Sequence, residues 1–167
     1  IEIMKYTKLT ILLCSAFAIV SCTDKKVSDA DSAPASGASL ESIIVKAEPA
    51  GAKSITEVRK AVEVGKEITV AGKIMGREDP FVEGRAMLMI GDPAIITSCD
   101  LRPGDSCGSP WDVCCDEPED IKAAIATVQI VDADGRVLKQ GIKGVSGIKE
   151  LSQLVVTGTI AEGSNAD

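Results

Sequence analysis

Glu67-Ile68-Thr69-Val70-Ala71-Gly72-Lys73-Ile74 and Gln153-Leu154-Val155-Val156-Thr157-Gly158-Thr159-Ile160 share one pattern, apolar-x-Val-x-Gly-x-Ile. In the first copy Ile68, Val70, Gly72 and Ile74 fall on one face and Thr69, Ala71 and Lys73 on the other. That is period two, the signature of a half-buried strand. Each copy carries a glycine on its inward face, which weakens a strand unless it permits a sharp bend or a close backbone approach. Two such strands, one at each end of a domain, predict the coiled strands that close a small barrel. The sequence between them holds no second copy of either neighbourhood, so internal duplication is discounted.

Working outward, Ser54-Ile55-Thr56-Glu57 is a capping box, and Ile55, Val58 and Val62 follow at helical spacing until Gly65. A short helix over about 55–64 is predicted. Arg85 to Ile90 reads as a second strand and Ala94 to Thr97 as a shorter third, with Asp92-Pro93 as a turn between them. Pro118 suits the first turn of a short helix with acids around its N-terminus. Ala124 to Val131 is a β-branched strand, and Asp134-Gly135 turns the chain into Arg136 to Leu138.

The order strand, strand, strand, short helix, strand, strand resembles the OB-fold over about residues 66–161. Pro80-Phe81-Val82-Glu83-Gly84-Arg85 and Pro110-Trp111-Asp112-Val113-Cys114-Cys115-Asp116 are also similar to blocks of a family of secreted bacterial domains with no assigned activity. The expected fold class is mainly β. It is a small five-stranded OB-like barrel with one or two short helices, a cysteine-rich insertion at 99–117 and a disordered N-terminal tether. The expected core includes Val70, Ile74, Ile130, Val156 and Ile160.

Upstream, Met4 to Lys8 holds two lysines, Leu9 to Val20 is an almost unbroken apolar run, and Ser21-Cys22 ends it. These are the basic, apolar and cleavage regions of a signal peptide. The run is about 12 residues, short of the about 20 that span a bilayer as a helix. Ile19-Val20-Ser21-Cys22 resembles the lipobox of bacterial lipoproteins, which implies cleavage before Cys22 and lipidation of its thiol. Cys14 is a poorer candidate because bulky Leu13 precedes it. The organisation expected is a lipoprotein signal peptide at 1–21, the lipidated cysteine and a flexible tether at 22–50, and the barrel domain at 51–167. The core of that tether, Thr23 to about Ala38, is too poor in apolar residues to pack.

Removing residues 1–21 lowers Lys plus Arg from 18 to 16 and Asp plus Glu from 25 to 24, so the net charge goes from −7 to −8. Such a field repels phosphate backbones, and 2% aromatic content gives few platforms for stacking bases. Nucleic acid is therefore not an expected partner. The absence of histidine removes the commonest general base and every Ser-His or Cys-His dyad.

With Cys14 removed and Cys22 lipidated, Cys99, Cys107, Cys114 and Cys115 remain, spaced C-x7-C-x6-C-C. An even number in an oxidising compartment favours disulfides, with Cys99 and Cys107 each pairing with one of the adjacent two. The polar insertion, rich in glycine and proline, needs such ties to order itself on this reading, and Trp111 is expected to pack over them. Metal binding and free thiols are the competing readings, although neither a zinc-ribbon nor a C-x-x-C redox spacing is present. Asp100, Asp105, Asp112, Asp116, Glu117, Glu119 and Asp120 follow no calcium-loop pattern and read as a solvated acidic face. Neither a metal nor another cofactor is expected.

The functional expectation is a non-enzymatic lipoprotein, anchored by lipid in the cell membrane or outer membrane and facing the periplasm or exterior. It would serve as a binding or structural module for a protein, glycan or small ligand. The alternative is a thiol-redox or metal-binding protein using the cysteine cluster.

Overall fold

The computed structural model describes residues 2–5, 39–104 and 106–164. Residues 6–38, which hold the rest of the signal region, Cys22 and the tether to Ala38, lie outside the described residues. Four strands, β1 (Glu67–Lys73), β2 (Met87–Gly91), β3 (Ile125–Ile130) and β4 (Gln153–Ile160), form an antiparallel sheet in the order β3-β2-β1-β4. Three short helices accompany it: α1 (Leu40–Ile43), α2 (Ile55–Arg59) and α3 (Pro118–Ala124).

The two strands with the shared pattern lie side by side, and their register runs from Glu67↔Thr159 to Lys73↔Gln153. Val70 faces Val156 at the centre, and each glycine faces an aliphatic residue of the other copy, Gly72↔Leu154 and Ile68↔Gly158. Antiparallel pairing thus sets the pattern against itself about a local two-fold. At Gly72 the missing side chain relieves tight packing. A Cβ there would sit 3.1 Å from Ile90 Cβ and 3.2 Å from the Gly91 carbonyl oxygen, so glycine lets β2 close on β1.

Val70, Ile74, Ile130 and Ile160 are buried in the main core, and Val156 is half-buried against it. Alternation along β3 is clean, with Ala126, Val128 and Ile130 inward. Helix α2 begins with the expected reciprocal cap: Glu57 N–H donates to Ser54 Oγ, and Ser54 N–H donates to Glu57 Oε2. The helix stops at Arg59, before the predicted 64, and turns carry the chain to Gly65 at φ +81°. Ile55 and Val58 seat it on the core.

Four expectations need correction. Ala94 to Thr97 is not a strand; the Asp92 carbonyl accepts from both Ile95 and Ile96 N–H, and its carboxylate accepts from Ala94 N–H, winding a turn after Pro93. Arg136 to Leu138 is reduced to a single bridge, Val131↔Val137. Leu40 is fully buried in the main core, so packing begins inside the stretch assigned to the tether rather than at 51. The cysteine-rich insertion has apolar support of its own. Ile96, Met75, Val113 and Ala124 are buried in a second core, with Trp111, Ile121 and Ile125 packed around them.

Candidate functional site

The insertion returns on itself through backbone pairing. Cys99 N–H donates to the Asp112 carbonyl at 2.8 Å and Asp100 N–H to the Pro110 carbonyl at 2.8 Å. Gly76 N–H donates to the Trp111 carbonyl, and the Trp111 indole N–H donates to the Glu78 carbonyl at 2.7 Å. Trp111 therefore joins the lobe to the end of β1 rather than covering sulfur bridges. Thr97 N–H donates to Asp116 Oδ2 at 2.9 Å, and Arg102 pairs with the other oxygen of that carboxylate. The buried Lys73 ammonium donates to Ser98 Oγ at 2.8 Å and reaches Asp100 Oδ1 at 3.4 Å.

This folding brings together three of the four cysteines. Cys99 opens a short 3-10 turn and is buried, whereas Cys114 and Cys115 lie exposed in the turn before α3. The sulfurs of Cys99, Cys114 and Cys115 all lie within 4.8 Å of one another. Cys114 Sγ and Cys115 Sγ are 4.0 Å apart, against about 2.05 Å for a disulfide. In this structure the four cysteines form no S–S bond. Cys107, half-buried, is not one of the three. The adjacent Cys115 thiol holds the Cys114 pKa above the ordinary thiol value, opposed by a hydrogen bond with Cys99 and reinforced by burial and the Asp112 charge. The Arg102 guanidinium is raised above its usual value, first by its hydrogen bond to Asp116 and further by the nearby charges of Asp116, Cys115 and Cys99. Its Nε is buried with no hydrogen-bond partner.

A second feature opens beside α1. A cavity of about 530 Å³ is lined by Ile43 to Pro49, by Leu88, Val128 and Ile130 from β2 and β3, by Gln153 to Thr157 of β4, and by Ile142 and Ile148. Its size lies in the range of small-molecule sites. The ionisable residues in this lining are Lys46 and Glu48, both exposed at the rim. Arg77, Glu78, Asp79, Trp111, Lys143 and Glu150 border a separate polar groove. There Lys143 pairs with Glu150, and its ammonium lies 5.7 Å from the centroid of the Phe81 ring.

The Asp132-Ala133-Asp134-Gly135 stretch is the hairpin turn that its sequence suggests. The Asp132 carboxylate accepts from Asp134 N–H and Arg136 N–H, and Gly135 adopts φ +78°. Among the described residues no helix is long and apolar enough to cross a membrane. The cavity beside α1 and the grouping of Arg102 with the thiols have no local sequence signal; both arise where distant segments meet. Compared with known proteins, the chain matches no family model, no curated protein and no solved structure.

Proposed function

We propose that this protein is a lipid-anchored, extracytoplasmic binding module of the cell envelope, attached through Cys22 and without catalysis of its own. The observation that carries the binding role is the cavity beside α1. Its walls are mostly aliphatic, with Gln153 and Thr157 as neutral polar groups, and the exposed Lys46 and Glu48 are placed to orient a ligand rather than to transfer protons within it. The anchoring role rests on the Ile-Val-Ser-Cys ending of the signal-like segment.

The same proposal includes closure of the sheet into a five-stranded OB-like barrel in the chain before signal cleavage. The backbone of Glu2–Lys5 registers in parallel with β3, from Glu2↔Thr127 to Lys5↔Ile130, and antiparallel with β4, at Ile3↔Ile160 and Met4↔Thr159. This closing strand replaces the one expected at Ala94 to Thr97. Under the lipoprotein reading those residues leave with the signal, and the mature domain is a partly open barrel with the edges of β3 and β4 facing each other.

Two measurements test the proposal. Mass spectrometry of the membrane-extracted protein should find Cys22 as a lipid-modified N-terminus, and Cys22→Ala should release the domain or leave it unprocessed. An apolar fluorescent probe should bind the unlipidated domain and be displaced by Val156→Glu. Normal cleavage with unchanged membrane retention in Cys22→Ala would sink the anchor. Probe binding indifferent to Val156→Glu would sink the cavity. A second reading, in which the cysteines carry the function, is favoured by the meeting of three sulfurs from segments 15 residues apart in sequence (Cys99 against Cys114).

A further inference from the structure

We infer that Cys99, Cys114 and Cys115 form a three-thiolate site for a thiophilic d10 cation, with Cu(I) the ion that the set suits best. The inference rests on the second reading above and is independent of lipid anchoring.

The geometry comes first. A metal–sulfur bond of about 2.3 Å places the sulfurs of a trigonal ion about 4.0 Å apart, and those of a tetrahedral ion about 3.8 Å apart. Cys114 and Cys115 stand at 4.0 Å, and all three sulfurs fit within 4.8 Å. A contraction of at most about 0.8 Å completes a trigonal set. A disulfide at about 2.05 Å needs a movement of about 2 Å.

The donor set then selects the ion. Soft thiolates favour Cu(I) and zinc over hard cations, and a structural zinc site normally takes four ligands. This cluster supplies three, and the chain has no histidine to add a fourth. Three sulfurs satisfy Cu(I) in a trigonal plane. Binding exchanges up to three S–H bonds for three Cu–S bonds and releases the protons to solvent. The ion arrives as Cu(I), so no electrons are transferred.

Arg102 offsets the charge gathered at the site. It is held by Asp116, lies within electrostatic reach of Cys99 and Cys115, and its buried Nε–H has no partner of its own. Cys99 is a fixed, buried floor ligand whose N–H is tied to Asp112. Cys114 and Cys115 form an exposed rim. One buried and two exposed ligands suit an ion that enters and leaves from solution.

The test uses the unlipidated chain, reduced and handled without oxygen. It is titrated with Cu(I) against a chromophoric Cu(I) chelator, and in a separate arm with Zn(II) against a zinc chelator. One Cu(I) per chain should bind, with thiolate-to-copper absorption and three sulfur neighbours by X-ray absorption. Cys114→Ser and Cys115→Ser, both at exposed positions, should each weaken binding about 10-fold or more, and Cys107→Ser should not. Failure to compete for Cu(I), or equal losses in Cys107→Ser, would overturn the site. Tighter relative retention of Zn(II) with a fourth light-atom ligand would overturn the choice of Cu(I). A Cys99–Cys114 or Cys99–Cys115 disulfide in protein isolated without reductant from its own compartment would also overturn it. None of these outcomes bears on lipidation of Cys22, which is read by mass and membrane retention.

Discussion

The carboxylate of Asp92, buried at the end of β2, receives both the hydroxyl of Thr56 at 2.7 Å and the Thr56 backbone N–H at 3.3 Å. Two residues 36 positions apart thus tie the N-terminal turn of α2 to the end of the central strand β2. The other carboxylate oxygen accepts from Ala94 N–H, so one side chain serves both the helix and the turn that replaces the expected third strand. Asp92→Ala should cost about 1–3 kcal/mol, because it strands buried donors. Chemical denaturation measures this directly, and a loss below about 0.5 kcal/mol would show that the tie does not stabilise the fold.

Gly72→Ala tests the close approach of β1 and β2. The added methyl meets Ile90 Cβ at 3.1 Å and the Gly91 carbonyl at 3.2 Å, and neither is the free end of a flexible chain. Overpacking of this kind costs about 1–3 kcal/mol. Gly108→Ala is the control: nothing lies within 4 Å of its Cβ position. A stability change there should stay within about 0.5 kcal/mol. Equal effects at the two positions would argue against the packing role of Gly72.

The second core predicts that the insertion depends on burial more than on sulfur bridges. Ile96 is 1% exposed and Val113 fully buried, against Met75 and Ala124. Ile96→Ala should lower stability by about 2–5 kcal/mol. Reductant alone should leave the lobe folded, as read by the fluorescence of Trp111 and by amide exchange of Cys99 N–H. Collapse of those signals on reduction would restore the disulfide account.

Alkylation of Cys114 should have a pH midpoint above that of an ordinary thiol. The cause is the adjacent Cys115 thiol, whose hydrogen bond favours the protonated form of Cys114. The thiolate is the nucleophile, so Cys114 reacts more slowly near neutral pH and gains rate only as pH rises through the elevated value. Cys115→Ala should shift the midpoint down and quicken the reaction at neutral pH. An unchanged or higher midpoint would contradict the assigned cause.

The local elements were legible because their causes are local. The capping box at Ser54 and Glu57, Pro118 at a helix start and the Asp132–Gly135 turn each form from neighbours within a few residues. The paired glycine pattern announced two strands of one sheet, and alternation placed Val70, Ile74, Ile130 and Ile160 in the core. The third strand was misread because Ala94 to Thr97 has strand-like residues, whereas the Asp92 side chain and carbonyl wind that segment into a turn. The packing of Leu40 inside the stretch read as tether is not legible because Leu40, Ile43 and Ile44 are too few to mark an element; burial of Leu40 depends on a core built by distant segments.

Sequence by itself determined the alternation of the strands, the caps and turns, the acidic charge and the absence of imidazole chemistry. Each follows from side-chain type and spacing within one short segment. Tertiary structure alone decided that the two patterned strands lie against each other, that Asp92 reaches Thr56, and that Cys99 joins Cys114 and Cys115 while Cys107 does not. The physical reason is that a contact between distant segments is set by how the apolar faces pack. Spacing along the chain states which groups exist, and burial of Ile96, Val113 and Met75 brings the two arms of the insertion together beside the sulfurs.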